Sequence, residues 1–268
     1  MSDQPVTTAV TSNQDILIER SSAHVLLITL NRPDVRNALR NNSLREVAAE
    51  LAQAEADDSI RVVVVTGGAK VFAAGADINE MAQTDAIGAL LDVRPQYWKA
   101  IAGFSKPLLA AVNGYALGAG CEMLMHADIA IAGRSARIGQ PEINLGTIPG
   151  AGGTQRLIRT VGKPLAMKMV LSGEFLSAED ALSAGLIAEV VDDEQTLERT
   201  LALAETIAAK SPLALRLAKE AMLKSFELGL EAGLNLERKS FSLLAASEDR
   251  REGIAAFKEK RTAQFVGR

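Results

Sequence analysis

Two glutamates, Glu122 and Glu142, stand beside glycine- or proline-rich turns in small-residue, apolar surroundings. The first closes Gly114-Tyr115-Ala116-Leu117-Gly118-Ala119-Gly120-Cys121-Glu122. The second opens Pro141-Glu142-Ile143-Asn144-Leu145-Gly146-Thr147-Ile148-Pro149-Gly150-Ala151-Gly152-Gly153-Thr154. Such a pair suits a reaction that needs one proton donor and one proton acceptor. At neutral pH one carboxyl must hold a proton in some step, which burial and the neighbouring carboxylate can arrange. Each also has an ordinary reading. Glu122 falls in a first helical turn, where acidic residues serve as caps, and Glu142 can pair with an arginine.

The glycine-rich loops offer main-chain donors. In Val71-Phe72-Ala73-Ala74-Gly75-Ala76-Asp77-Ile78, Gly75 permits a turn that a larger residue resists, and Asp77 can cap a short helix. The N–H groups around Ala76 can then face a ligand; the plain alternative is a tight loop. Ala119 lies near a helix N-terminus, so its N–H is a second candidate for binding developing negative charge. Neither glycine loop has the spacing of a phosphate-binding or dinucleotide fingerprint.

Other chemistries find little support. His24, at the start of a strand, and His126, at the end of an apolar helix, are far apart and read as structural or surface residues. No Gly-x-Ser-x-Gly elbow accompanies them, and no metal site is expected. The single cysteine, Cys121, reads as a small packing residue and fits a reducing compartment. A net charge of −4 gives no global field for nucleic acid, and Lys163, Lys168, Lys210, Lys219 and Lys224 are interleaved with acidic residues. No run approaches the roughly 18 apolar residues of a membrane span. Residues 1–13 read as a polar, flexible leader without a signal core, and the expected location is cytoplasmic.

The elements that must position these residues alternate. Segments 16–18 and 25–30 read as a hairpin, and Ser43 with Glu46 forms a capping-box pattern ahead of a helix. The continuous apolar runs 62–65, 108–112 and 129–132 predict strands buried on both faces. Helices are expected over 87–104 and 121–126. This order predicts an α/β core with largely parallel strands over residues 14–192. Leu197, Leu201, Ala204 and Ala208 then mark an amphipathic helix. After the break at Ser211-Pro212, helices are expected over 213–226, 230–244 and 248–260, so residues 193–268 read as a helical C-terminal region.

Taken in order, these segments resemble the enoyl-CoA hydratase, or crotonase, family across nearly the whole chain. Leu30-Asn31-Arg32-Pro33 with Asn37-Ala38-Leu39, the Phe72 to Asp77 loop, both glutamate segments and Glu248-Asp249-Arg250-Arg251-Glu252-Gly253 carry the resemblance. It implies the crotonase fold, with repeated ββα units, and the syn addition of water across the 2,3 double bond of a trans-2-enoyl-CoA to give a 3-hydroxyacyl-CoA. It places the thioester oxygen between the N–H groups of Ala76 and Ala119, with Glu122 as base, Glu142 as acid and Gly150 holding the water. The family often has glycine where this chain has Ala119, and the added methyl group is expected only to trim the pocket.

The resemblance assigns coenzyme A contacts to Arg36, Ala38, Ala74, Asp77 and Ile78, with Phe257 and Lys260 reaching a neighbouring subunit's coenzyme. No separate cofactor is implied, and the expected assembly is a homotrimer or a dimer of trimers. Isomerases of the family usually need only one carboxylate, so the pair favours hydration. The alternatives are an isomerase, another crotonase-fold acyl-CoA enzyme and, remotely, an RNA-binding relative. The loop between Asp77 and Phe104, which carries segment 91–98, helps form the acyl pocket in the family. Arg94 there either meets a distal carboxylate, as on a 2,3-dehydroadipyl chain, or faces solvent.

Overall fold

The computed structural model describes residues 14–268, so the leader lies outside the described residues. β1 (Ile16–Arg20) and β2 (Val25–Leu30) form the expected antiparallel hairpin. β2 then pairs in parallel with β3 (Val62–Thr66), β3 with β4 (Leu108–Val112), β4 with β6 (Ile129–Gly133), and β6 with β9 (Glu189–Val191). Side chains alternate between the faces of this six-stranded sheet. Val63, Val65, Leu108 and Ala110 join the main core, with α1 (Asn41–Ala56), α4 (Arg94–Ala102) and α5 (Ala119–His126). Val62, Val64, Leu109 and Ala111 face the other way, onto α9 (Thr196–Ala208). Both faces are covered, which is why these strands read as unbroken apolar runs.

A smaller sheet places β7 (Arg137–Gly139) between β5 (Tyr115–Leu117) and β8 (Phe175–Ser177). The ββα unit is visible twice in full. β4, β5 and α5 form one; β6, β7 and α6 (Gly153–Val161) form the other, with a 3-10 turn at Glu142–Leu145 before its helix. A third is abbreviated: β3 is followed by a single bridge, Ala73 to Ala116, and then α2 (Ile78–Ala82). Ala73, β5 and β7 run parallel, so each unit delivers its helix start to the same end of the small sheet.

Three local expectations are corrected. The helix expected over 87–104 is two, α3 (Ala86–Leu90) and α4, because Pro95 fits only the first turn of a helix. Ser43 is not the N-cap of α1; Arg40 is, and the Ser43 hydroxyl donates to Asp15 Oδ2 at 2.7 Å. Glu46 instead accepts from the Asp15 amide at 2.9 Å. Third, α9 lies against the sheet as part of a core cluster, and the helix after it is tied back to the core as well, Lys219 Nζ lying 2.7 Å from Asp128 Oδ2 and donating to Lys106 O at 2.8 Å.

α7 (Lys163–Ser172) and α8 (Ala178–Ser183) complete the core. α10 (Pro212–Lys224), α11 (Leu230–Leu244) and α12 (Glu248–Glu259) follow. Their faces leave Met222, Leu230, Leu234, Phe241 and Phe257 exposed, as is Phe226 in the turn between the first two. Among the described residues no helix is long and apolar enough to cross a membrane.

Candidate active site

The first donor is set by a short parallel bridge. Leu39 N donates to Gly75 O at 2.8 Å, and Asp77 N donates to Leu39 O at 3.0 Å. Ala76, between them, points its own amide the other way, and it finds no acceptor in the main chain of the described residues. Asp77 caps α2, its Oδ1 accepting from Asn79 N at 3.0 Å, while Oδ2 lies 2.9 Å from Arg32 Nη1.

The second donor opens α5. Gly118 adopts φ 50°, ψ −122°, a conformation that favours glycine, and its N–H donates to Gly139 O at 2.9 Å. Ala119 is then the first helical residue, so its N–H has no intrahelical acceptor. A Cβ on Gly120 would lie 2.2 Å from Ala73 O; this glycine lets α5 pack directly on the Ala73–Ala76 segment.

Glu122, one turn into α5, is 2% exposed. Its Oε1 accepts from Ala151 N at 2.6 Å and Gly153 N at 2.8 Å, so the glycine loop at the start of α6 grips it. Burial pushes this carboxyl above its ordinary range, while the two amides and the positive charge of Arg156 pull it back. Glu142 has no such cradle. Its carboxyl faces Gly118, where a Cβ would come within 2.9 Å of Oε1. Burial, with the charge of Glu122 in addition, raises it to about 7. Gln140, fully buried and oriented by its hydrogen-bonding partners, donates Nε2–H to Glu142 Oε1 at 3.0 Å and Oε2 at 3.1 Å. Gly150 is exposed in the loop between Glu142 and α6, next to Ala151.

The arrangement thus brings together two main-chain donors that find no acceptor among the described residues and two carboxyls that burial pushes up, Glu122 opposed by two amides and Arg156 and Glu142 raised to about 7. Sequence reasoning missed Gln140, whose signal is a polar residue directly after the buried Ile138-Gly139 pair. It also missed Arg156, which lies in the helix that Gly153 starts. Cys121 is fully buried and its thiol is pushed far up, which makes it a packing group. His126 is buried beside Trp98, ring centroids 5.0 Å apart, with Nδ1 2.7 Å from Glu122 O. Burial lowers it to about 4, so it is neutral at physiological pH.

The remaining candidates spread outward from this centre. Arg36 and Ala38 lie on the loop that bridges to Ala74 and Ala76, with Ala74 N donating to Arg36 O at 3.0 Å. Ile78 is exposed beside them. The Asp77 carboxylate is turned inward onto Arg32. Arg94 is held by Asp92. Phe257, 85% exposed, and Lys260, the C-cap of α12, lie on the last helix.

Comparison with known proteins shows the family. The family model described as enoyl-CoA hydratase/isomerase matches residues 20–268. The chain belongs to the enoyl-CoA hydratase/isomerase family. It is 57% identical over 252 residues to a 2,3-dehydroadipyl-CoA hydratase of Escherichia coli, covering 94% of this chain and 99% of the relative. A mitochondrial enoyl-CoA hydratase of Pongo abelii is 47% identical, over 89% of this chain and 82% of the relative. The crystal structure of an enoyl-CoA hydratase from Bacillus anthracis superposes with a TM-score of 0.91 at 37% identity, covering 95% and 100% of the two chains. The fold is the mixed α/β crotonase fold that this family shares.

Proposed function

We propose that this member of the family is an enoyl-CoA hydratase, adding water syn across the 2,3 double bond of a trans-2-enoyl-CoA to yield a 3-hydroxyacyl-CoA. The carrying observation is the unequal environment of a buried and a half-buried carboxyl beside two main-chain donors without an acceptor among the described residues. The thioester oxygen sits between Ala76 N–H and Ala119 N–H. Water lies between Glu122 and Glu142, aided by Gly150 N–H. Glu122 takes a proton as the water oxygen bonds to C3, charge moves onto the thioester oxygen, and Glu142 delivers its proton to C2. The amide pair is ready before charge develops, which makes it effective.

The 57% identical relative supports 2,3-dehydroadipyl-CoA as a substrate. The coenzyme runs past Arg36, Ala38, Ala74 and Ile78, with Asp77 holding the main chain rather than meeting phosphate. Exposed apolar residues on α10 to α12 support a trimer or a dimer of trimers, in which Phe257 and Lys260 reach a neighbour's coenzyme. The test is loss of the conjugated enoyl absorbance of crotonyl-CoA and of 2,3-dehydroadipyl-CoA. Glu122→Gln and Glu142→Gln are each expected to remove most turnover while leaving the assembly intact; near-native turnover in either refutes the two-carboxylate assignment.

A further inference from the structure

Ala76 carries no side chain able to hold its own amide in place, so its aim depends on its neighbours. Gly75 and Asp77 are both tied to Leu39, and that tie is only as firm as the loop carrying Leu39. The loop is unusual: Arg36 and Asn37 both adopt left-handed conformations, φ 53° and 56°, without being glycine. Asn37 secures the turn, accepting from Arg32 N at 2.9 Å and donating to Gly67 O and Val71 O, each at 3.0 Å.

Arg32 closes the structure. A single nitrogen, Nη1, donates to Ala38 O at 2.5 Å and lies 2.9 Å from Asp77 Oδ2. It therefore clamps both sides of the Leu39–Ala76 bridge, one residue from each partner. Its Nε lies 4.0 Å from Asp15 Oδ1. Asp15 is in turn fixed by Arg40 Nε at 2.7 Å, Arg40 Nη2 at 2.6 Å and Ser43 Oγ at 2.7 Å. The guanidinium is thus held from behind by the start of α1 and reaches forward to the oxyanion segment. Both side chains are mostly buried, at 16% and 10% exposure, so solvent screens the pair little.

We propose that Arg32 and Asp77 are positioning residues for the hydration reaction, setting the direction of the Ala76 amide through the clamp across the Leu39–Ala76 bridge. The proposal rests on Ala76 being an oxyanion donor. Neither residue touches the substrate. A planar, rigid guanidinium holds two acceptors at a fixed separation, which a flexible lysine ammonium does not. A reacting geometry displaced by about 1 Å costs on the order of 10²-fold in rate.

The test uses the full-length protein with Asp77→Asn, Arg32→Lys, Arg32→Met and the double Asp77→Asn/Arg32→Met variant. Asparagine caps helices as well as aspartate does, so Asp77→Asn removes the ion pair and keeps the start of α2. Arg32→Lys keeps the charge, guarding against a variant that fails to fold. Steady-state constants on crotonyl-CoA are measured alongside the red shift of a bound chromophoric cinnamoyl thioester, which reports polarisation of the thioester carbonyl. Expected are a kcat lower by about 10- to 100-fold for Asp77→Asn, KM within about threefold, and a smaller red shift. Arg32→Lys should fall between the wild type and Arg32→Met, and the double variant should be no worse than the poorer single. The proposal is overturned by a kcat for Asp77→Asn within threefold of wild type, by an unchanged red shift, or by losses that multiply in the double variant. A wild type that neither hydrates crotonyl-CoA nor shifts the chromophore refutes the functional reading itself and takes this proposal with it.

Discussion

Replacing Glu142 with glutamine should stabilise the protein while disabling it, and the stabilisation should depend on pH. The folded protein holds Glu142 at about 7 against an ordinary value of 4.5. Between those values the native state keeps a proton that the unfolded chain has lost, so stability falls as pH rises through this window. A shift of that size corresponds to about 3 kcal/mol once the group is ionised in both states. Two features reduce it: Gln140 donates to the carboxylate and favours its charged form, and the group is only partly buried. The expected gain for Glu142→Gln is therefore about 2 kcal/mol at pH 8, shrinking toward zero near pH 4. Urea unfolding of wild type and variant at pH 4.5, 6 and 8, at one protein concentration, measures it. A difference between the two proteins that stays constant across that range refutes the reasoning.

His126 should show the opposite dependence. Its folded value of about 4 lies below the ordinary 6.5, so it weakens the wild type as pH falls between them, and His126→Gln should gain relative stability at pH 4.5 but not at pH 8. Gly118→Ala should lower kcat on crotonyl-CoA by at least about 100-fold, because a misplaced reacting group costs on that order. The added methyl group meets Glu142 Oε1, and its left-handed backbone should also lower the melting temperature. Arg94→Met should change the preference for 2,3-dehydroadipyl-CoA over crotonyl-CoA by less than about threefold, since Asp92 already neutralises the arginine and a free cation would discriminate far more strongly. The ratio of kcat/KM values for the two substrates decides it.

Much of this was legible in the chain. The runs 62–65 and 108–112 announced strands because both faces of the sheet are covered, which leaves no polar position to confuse the period. Ala119 and Glu122 could be placed on a helix start because glycines bracket them, and the positive φ of Gly118 shows why. What stayed hidden came from contacts between distant segments. Ser43 resembled a cap because its spacing to Glu46 is right, yet Asp15, far earlier in the chain, captures both side chains. Similarly, α9 carries an ordinary amphipathic stripe, and nothing in that stripe says it will face β3 and β4. Gln140 is two residues from Glu142, yet nothing in that spacing says that its amide will turn onto the carboxyl.

In the proposed hydration, three of the groups that hold charge or water, at Ala76, Ala119 and Gly150, are main-chain amides, and so are both partners of Glu122 Oε1. Substitution cannot delete an amide N–H unless it introduces proline. The walls of the pocket can therefore vary while the donors persist. Leu91 and Val93, within segment 91–98, and Leu90 beside it have side chains that neither grip a carboxyl nor supply a donor, and all three are exposed. Libraries confined to those three positions would explore new acyl chains while leaving the hydration chemistry in place. The same separation gives natural variation room to change what is hydrated without relearning how.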